Sequence, residues 1–329
     1  KSVLLSDGGV FPRKPLVTKL LLIEGISRSG KFLLSDLLAG FDGVEPVQTH
    51  VGVDHIPILT TFGLIEKAAA KEFLRCEIDV YCYEALIGRF LNHRKTDKSS
   101  IFKHPRYKEF LARADVLDPQ VLVQKFIESG TYSLFIVHEL MQHINLYFET
   151  FPQMKMLYLT RSPIDLVASW YQRGYGGDRI AKDPTFFMIP FSGKNGPVPW
   201  YALEFKDEFY RMTPMDRIIR SVEWFFVRNE RAYQALPTKY RRRIIFVSFE
   251  ELMIRPLEAV AKLEKFLSKK ALPVIRQILR REKLPNPGRL FEKQQKLKII
   301  KKLASPKYYR GLLQLEGNYQ KSLGKELRT

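Results

Sequence analysis

Cysteine is nearly absent, with Cys76 and Cys82 the only two in 329 residues. One pair six positions apart supports neither a zinc framework nor a disulfide scaffold, so both are read as reduced core thiols. No apolar run approaches the roughly 18–20 residues of a membrane span. The longest aliphatic stretch, Leu20 to Ile23, is strand-sized, and a soluble protein is expected. No asparagine stands in an N-x-S/T pattern, which weighs against passage through a glycosylating compartment and toward the cytoplasm. The chain begins at Lys1 without an initiator Met, which leaves a removed signal or anchor open. Gly 19 and Pro 19 are too few for a fibre or a low-complexity array, and 45% hydrophobic residues exclude disorder. Histidine is scarce as well. His55, His93, His104 and His143 read as structural or surface residues, and no pair makes a metal site.

Negative charge is also in deficit. Lys plus Arg 54 against Asp plus Glu 35 gives +19, a field that attracts nucleotides, sulfated or phosphorylated substrates, acidic membranes or nucleic acid. Charge alone does not choose among them.

Apolar runs at Leu16–Glu24, Tyr132–Val137, Lys155–Thr160 and Arg243–Ser248 read as buried strands, with a further strand at Val44–Gln48. Helical spacing falls between them, at Ile56–Phe73, Pro119–Ser129, Glu139–Thr150, Pro163–Gln172, Met215–Ala235 and Pro256–Leu267. Strands alternating with helices call for an α/β fold, a parallel sheet flanked by helices on both faces. The segment 174–214, rich in glycine, proline and aromatics, reads as a long irregular loop or lid. After Leu267 the chain turns strongly basic with helical spacing at Leu297, Ile300 and Leu303. That pattern fits a solvated helix face or a contribution to an anionic groove.

Two clusters carry chemistry. Gly25-Ile-Ser27-Arg28-Ser29-Gly30-Lys31 fits GxxxxGK between a strand and a helix, the setting in which backbone N–H groups cradle a phosphate. A nucleotide triphosphatase needs Ser or Thr next, to hold Mg²⁺, but Phe32 stands there and no strand ends in a clear Walker-B Asp. A nucleotide phosphate site without magnesium is the better physical reading. The second cluster, Arg161-Ser162-Pro163 with Ser169, would put a guanidinium and a hydroxyl near a second phosphate. Taken alone, it is equally a helix cap beside a surface arginine.

Together the clusters resemble the sulfotransferase family, enzymes with a P-loop-like fold that use 3′-phosphoadenosine 5′-phosphosulfate (PAPS) and release 3′-phosphoadenosine 5′-phosphate (PAP). The family's 5′-phosphosulfate loop, [KR]-S-G-T, is matched by Arg28-Ser29-Gly30, with Lys31 at the Thr position. Its 3′-phosphate motif, R-[DNS]-P with a later Ser, is matched by Arg161-Ser162-Pro163 and Ser169. Ser248-Phe249-Glu250-Glu251-Leu252 through Pro256 to Phe266-Leu267 is similar to a further family feature, as is the helix around Trp224. The resemblance runs from about residue 20 to 268 and implies a sulfotransferase-like domain over 1–268; 174–214 is expected to serve as its substrate loop or lid, and 269–329 to be a basic helical extension packed on the same domain.

It also implies the site. Gly25, Ser27, Arg28, Ser29, Gly30, Lys31, Phe32, Arg161 and Ser169 would bind PAPS, with no metal. Arg28 and Lys31 would stabilise charge on the leaving phosphate. The base is left open. One branch places a His at the end of the strand before the 3′-phosphate strand, where His138 and Glu139 stand. Other branches use a Glu after the first helix, the region of Glu45 and His50. A histidine has the chemical advantage of an unperturbed pKa close to working pH, which favours His138, with Glu139 orienting or solvating the site. The acceptor would be a hydroxyl or amine of a carbohydrate or small molecule, and no specific nucleic acid is expected. A small-molecule P-loop kinase and a non-catalytic binder of anionic polymer or nucleic acid stay as alternatives.

Overall fold

Every side chain of Leu20–Glu24, strand β1, is buried, as a strand covered on both faces requires. The computed structural model describes residues 13–290 and 292–326. Residues 1–12 and 327–329 of the expected domain spans, with any signal preceding them, lie outside the described residues. Around β1 runs a five-stranded sheet of β2 (Gln48–Thr49), β3 (Ser133–Ile136), β4 (Lys155–Thr160) and β7 (Ile244–Ser248), in the order β2-β3-β1-β4-β7. All its pairings are parallel. Ile23 sits opposite Ile136 on one side and Leu157 on the other, and Thr160 opposite Ser248. The strands therefore end along one edge. Chain order departs in both directions from β1, so the switch point, where such sheets open a crevice, lies at the residues after Glu24.

Helices cover both faces. Helix α1 (Lys31–Leu38) packs on one face with Pro256–Leu267 and Ile275–Arg281, burying Leu21, Ile23, Leu34 and Leu157. The other face carries α2 (Val51–Thr61), α3 (Lys67–Leu86), Pro163–Gln172 and Pro214–Ala235, around Leu20, Leu22, Phe135 and Trp170. The basic C-terminal helices Lys293–Leu303 and Pro306–Glu326 send Ile300 and Leu312 into that same core. No helix among the described residues is long and apolar enough to cross a membrane.

The expected helices Pro119–Ser129, Pro163–Gln172 and Pro256–Leu267 have those bounds. Five expectations are corrected. Val44–Gln48 is not one strand, since Val44 makes only an isolated bridge to Tyr132 and β2 is Gln48–Thr49. Of the two expected core thiols Cys82 is buried, but Cys76 is exposed. Ile56–Phe73 is not one helix: α2 ends at Thr61, Gly63 takes φ +70°, and α3 restarts with the Glu66 carboxylate accepting Ala69 N–H at 2.9 Å. In Glu139–Thr150 the α-helix is only Asn145–Thr150, because Glu139 turns the chain with φ +56°. Nor is 174–214 irregular. It folds into a hairpin of β5 (Pro190–Gly193) and β6 (Gly196–Pro199) and a 3-10 turn, Trp200–Phe205, whose Trp200 and Tyr201 enter the core. Buried Arg217 ties the segment down, donating through Nε to Phe209 O at 2.7 Å and through Nη1 to Gly176 O at 3.1 Å.

Candidate active site

The loop after β1 needs glycine twice. A Cβ on Gly25 would lie 2.3 Å from Leu159 O, and one on Gly30 would lie 2.7 Å from the Phe249 ring. Both residues have positive φ, +145° and +109°, and Arg28 between them is left-handed at +75°. The turn closes with Ser29 N–H on Ile26 O at 3.0 Å. Helix α1 then starts at Lys31, so the Lys31 and Phe32 N–H groups have no acceptor within the helix. Phe32 packs on the core, which leaves no hydroxyl at that position. Lys31 is buried and donates to Gly25 O at 2.5 Å. Burial lowers its pKa, against the pull of Glu139, Glu24 and Asp54.

The second cluster is fastened to the first. Arg161 follows β4 and donates through Nη1 to Arg28 O at 2.9 Å. Its guanidinium stacks on Phe249 at 4.2 Å and lies 3.7 Å from Asp165. Ser169, two turns along the helix that Pro163 opens, accepts from Arg28 Nε at 3.0 Å, and the next residue, Trp170, donates to Ser27 O at 2.7 Å. Burial lowers the Arg161 pKa, and the Arg28 and Arg289 charges add to that effect. The Ser29 hydroxyl is buried without a partner beside this group. A cavity of about 540 Å³ opens behind Ser29 and Arg161, walled by Tyr158, Phe246, Phe226 and Tyr319. The C-terminal helices brace the cluster: Lys296 pairs with Asp165 at 2.8 Å, and Glu316 accepts from Ser162 Oγ at 2.7 Å.

The end of β3 brings carboxylates and an imidazole to the same edge. Buried Glu139 accepts the Ser27 N–H, and Glu24 accepts those of Gly25, Leu140 and Met141, the last two at 2.8 and 3.0 Å. Two loop donors are thus already held by carboxylates of the chain. Complete burial pushes the Glu24 carboxyl up to about 7, although Lys31 pulls it down. His138 Nδ1 lies 3.0 Å from Asp54 Oδ2, and its backbone N–H donates to Asp54 Oδ1 at 3.1 Å. The His138 side chain is 36% exposed, while Asp54 is buried. His50 is engaged by Glu77 at 2.9 Å and stacks on Tyr81. Glu45 is clamped by Arg113 at 2.6 and 2.9 Å. The structure therefore gathers Gly25, Ser27, Arg28, Ser29, Gly30, Lys31, Arg161, Ser169, His138 and Glu139, and places His50 against Glu77 and Glu45 against Arg113.

Sequence reasoning missed Glu24 and Asp54. Glu24 carries a signal, an acidic residue closing an otherwise aliphatic strand, whereas Asp54 meets His138 from 84 residues away and carries none. Among the described residues, no group of three or more His, Cys, Asp or Glu is placed to hold a metal ion.

A family model described as "Sulfotransferase domain" matches residues 89–303. No curated protein matches the chain. Among solved structures, a sulfotransferase domain from the curacin biosynthetic pathway is similar at 14% identity and TM-score 0.42, over 81% of this chain and 78% of that one. A sulfotransferase from Mycobacterium tuberculosis H37Rv is similar at 12% identity and TM-score 0.40, over 80% and 71%. One from Alicyclobacillus acidocaldarius gives 14% identity and TM-score 0.36, over 91% and 100%.

Proposed function

We propose, from the premise that this chain belongs to the sulfotransferase family, that it moves a sulfuryl group from PAPS to a hydroxyl or amine of a carbohydrate or small molecule without a metal. The observation that carries the reading is the contact between the two clusters. Ser169 and Arg161 touch Arg28 itself, so an anion in the loop and a second one at Arg161 would belong to one ligand. AMP, with one phosphate, leaves the second cluster unused; PAP uses both.

The residues fit such a ligand. Ser29 offers a buried, unpartnered hydroxyl, Lys31 and Phe32 offer helix-start N–H groups, and Arg28, Lys31 and Arg161 supply charge. Gly25, Ser27, Ser29, Gly30, Lys31 and Phe32 would hold the 5′ end, and Arg161 with Ser169 the 3′-phosphate. Held there, PAPS would supply an activated sulfuryl group for the acceptor and leave as PAP. Arg28 and Lys31 stabilise the charge that grows on the phosphate side. Lys31 can donate a proton there; Arg28, always protonated, cannot. His138, presented by β3 at the same edge, takes the acceptor's proton. The division at residue 268 and a cytoplasmic location belong to this reading too.

A second assignment of the base has its own support. Glu139 is the carboxylate on the loop, bonded to Ser27 N–H and within the electrostatic reach of Lys31. His138→Ala should reduce turnover about 10²- to 10⁴-fold. Near-normal turnover in that variant, with loss in Glu139→Gln, moves the base to Glu139.

The test of the cofactor is thermal stabilisation in EDTA by PAP, AMP and ATP, with ATP repeated in magnesium. PAP at a hundredfold excess over its Kd should add about 2.7 kcal/mol, and AMP markedly less. Equal shifts by PAP and AMP would sink the second phosphate site. A shift seen only with ATP and magnesium would favour a kinase.

A further inference from the structure

We infer that Asp54 is a positioning residue that fixes the His138 imidazole in its Nδ1–H tautomer and so keeps the Nε2 lone pair free; this rests on His138 as the base. The argument is one of donors and acceptors. An ionised carboxylate only accepts, so the nitrogen 3.0 Å from Asp54 Oδ2 must carry the hydrogen, and the other nitrogen of a neutral ring is then the basic one.

The second oxygen of Asp54 accepts the His138 backbone N–H at 3.1 Å. Ring and backbone are thus held by one rigid group, which fixes the direction of the imidazole as well as its tautomer. Asp54 is itself fixed. It lies in the first turn of α2, next to buried Val53, whose carbonyl accepts Tyr147 Oη at 2.9 Å. A fully exposed imidazole would gain little from such a partner, and a fully buried one could not reach an acceptor. His138 is neither, since its side chain is 36% exposed while Asp54 lies beneath. His104 and His143 make the contrast, each buried with Nε2 unpartnered and neither paired to a carboxylate. The charged and titratable groups facing the pair are Lys31, on which the Asp54 charge acts, Tyr147, and His55, the next residue on α2 with His50 beyond it. Glu139 follows His138 in the chain.

The test reads the tautomer directly. In ¹⁵N-labelled protein above pH 8, long-range ¹H–¹⁵N correlation should show His138 Nδ1 protonated and Nε2 bare. In Asp54→Asn the side-chain amide can donate to Nδ1, so the ring should invert to Nε2–H or become a mixture, while Asp54→Glu keeps the Nδ1–H form. Conversion of PAPS to PAP, with water as acceptor, should fall about 10²- to 10⁴-fold in Asp54→Asn through kcat, with the thermal shift by PAP unchanged. The double variant Asp54→Asn/His138→Ala should be no slower than His138→Ala alone. An Nε2–H tautomer in the wild type, which needs no variant to fold, would overturn the inference, as would losses that multiply in the double variant. If His138→Ala keeps its turnover, the base assignment fails, while the tautomer measurement still judges the Asp54 contact on its own.

Discussion

If the loop cradles a phosphate as proposed, Glu139 stands where the incoming anion would, because its carboxylate takes the Ser27 N–H that such a loop would offer to its ligand. Like charge next to the seat raises the cost of binding, and the bond must be exchanged for one to the phosphate. Glu139→Gln keeps the shape and removes the charge, so PAP should bind about tenfold tighter, about 1.4 kcal/mol, in calorimetry at low salt. Weaker binding would mean that the carboxylate organises the loop rather than competing with its ligand. At this scale the sequence was informative where neighbours in the chain fold into one local unit. Gly25, Arg28, Gly30 and Lys31 form one turn, Arg161 and Ser169 one strand end and helix, and both could be read as units. What escaped was pairing across distance. Nothing in the spacing says that Arg113 would clamp Glu45, that Glu77 would hold His50, or that Asp54 would meet His138, since each pair joins different elements and depends on how they dock.

Among the elements, the buried strands were legible because an all-parallel sheet demands continuous apolar runs, and β4 occupies the bounds that its run of aliphatics implied. Prolines at helix starts marked Pro119, Pro163 and Pro256 for the same reason, a fixed φ and an N–H that a first turn does not need. Glycine and proline misled in 174–214, where they shape the β5–β6 hairpin and its turns instead of preventing structure. Its order depends on Arg217, a buried cation satisfied mostly by carbonyls and by Asp178 at 3.4 Å, a tertiary contact with no local signature. Arg217→Ala should therefore leave several acceptors unpaired and cost about 2–3 kcal/mol in urea unfolding. Limited proteolysis should show the first new cuts within 176–214. Cuts distributed evenly over the chain would mean that the residue supports Pro214–Ala235 and not the segment beneath it.

For the molecule as a whole, the net charge of +19 could be counted, but the response of stability to pH could not, because it is set by groups that folding removes from water. His143 and Asp36 make the point with opposite signs. His143 is buried against Trp200, with its ring bonded to Thr61 Oγ1 at 2.8 Å, and burial holds it down to about 4. The unfolded chain takes up that proton below about 6.5 while the folded one does not, so stability falls as pH drops from about 6.5 to about 4. Asp36 is pushed up to about 7, chiefly by burial and then by Glu282. It stays protonated in the fold while the unfolded chain ionises above about 3.8, so its contribution is complete below that pH and is lost as pH rises to about 7. Each linked proton is worth at most about 1.4 kcal/mol per pH unit, and between pH 4.5 and 6.5 the two slopes oppose each other. His143→Gln should then make the protein progressively more stable than the wild type as pH falls through that window. Asp36→Asn should gain on the wild type as pH rises through it. Unfolding curves at pH 4.5, 5.5 and 6.5 decide the matter, because differences against the wild type that do not change with pH would mean that neither group changes its protonation on folding.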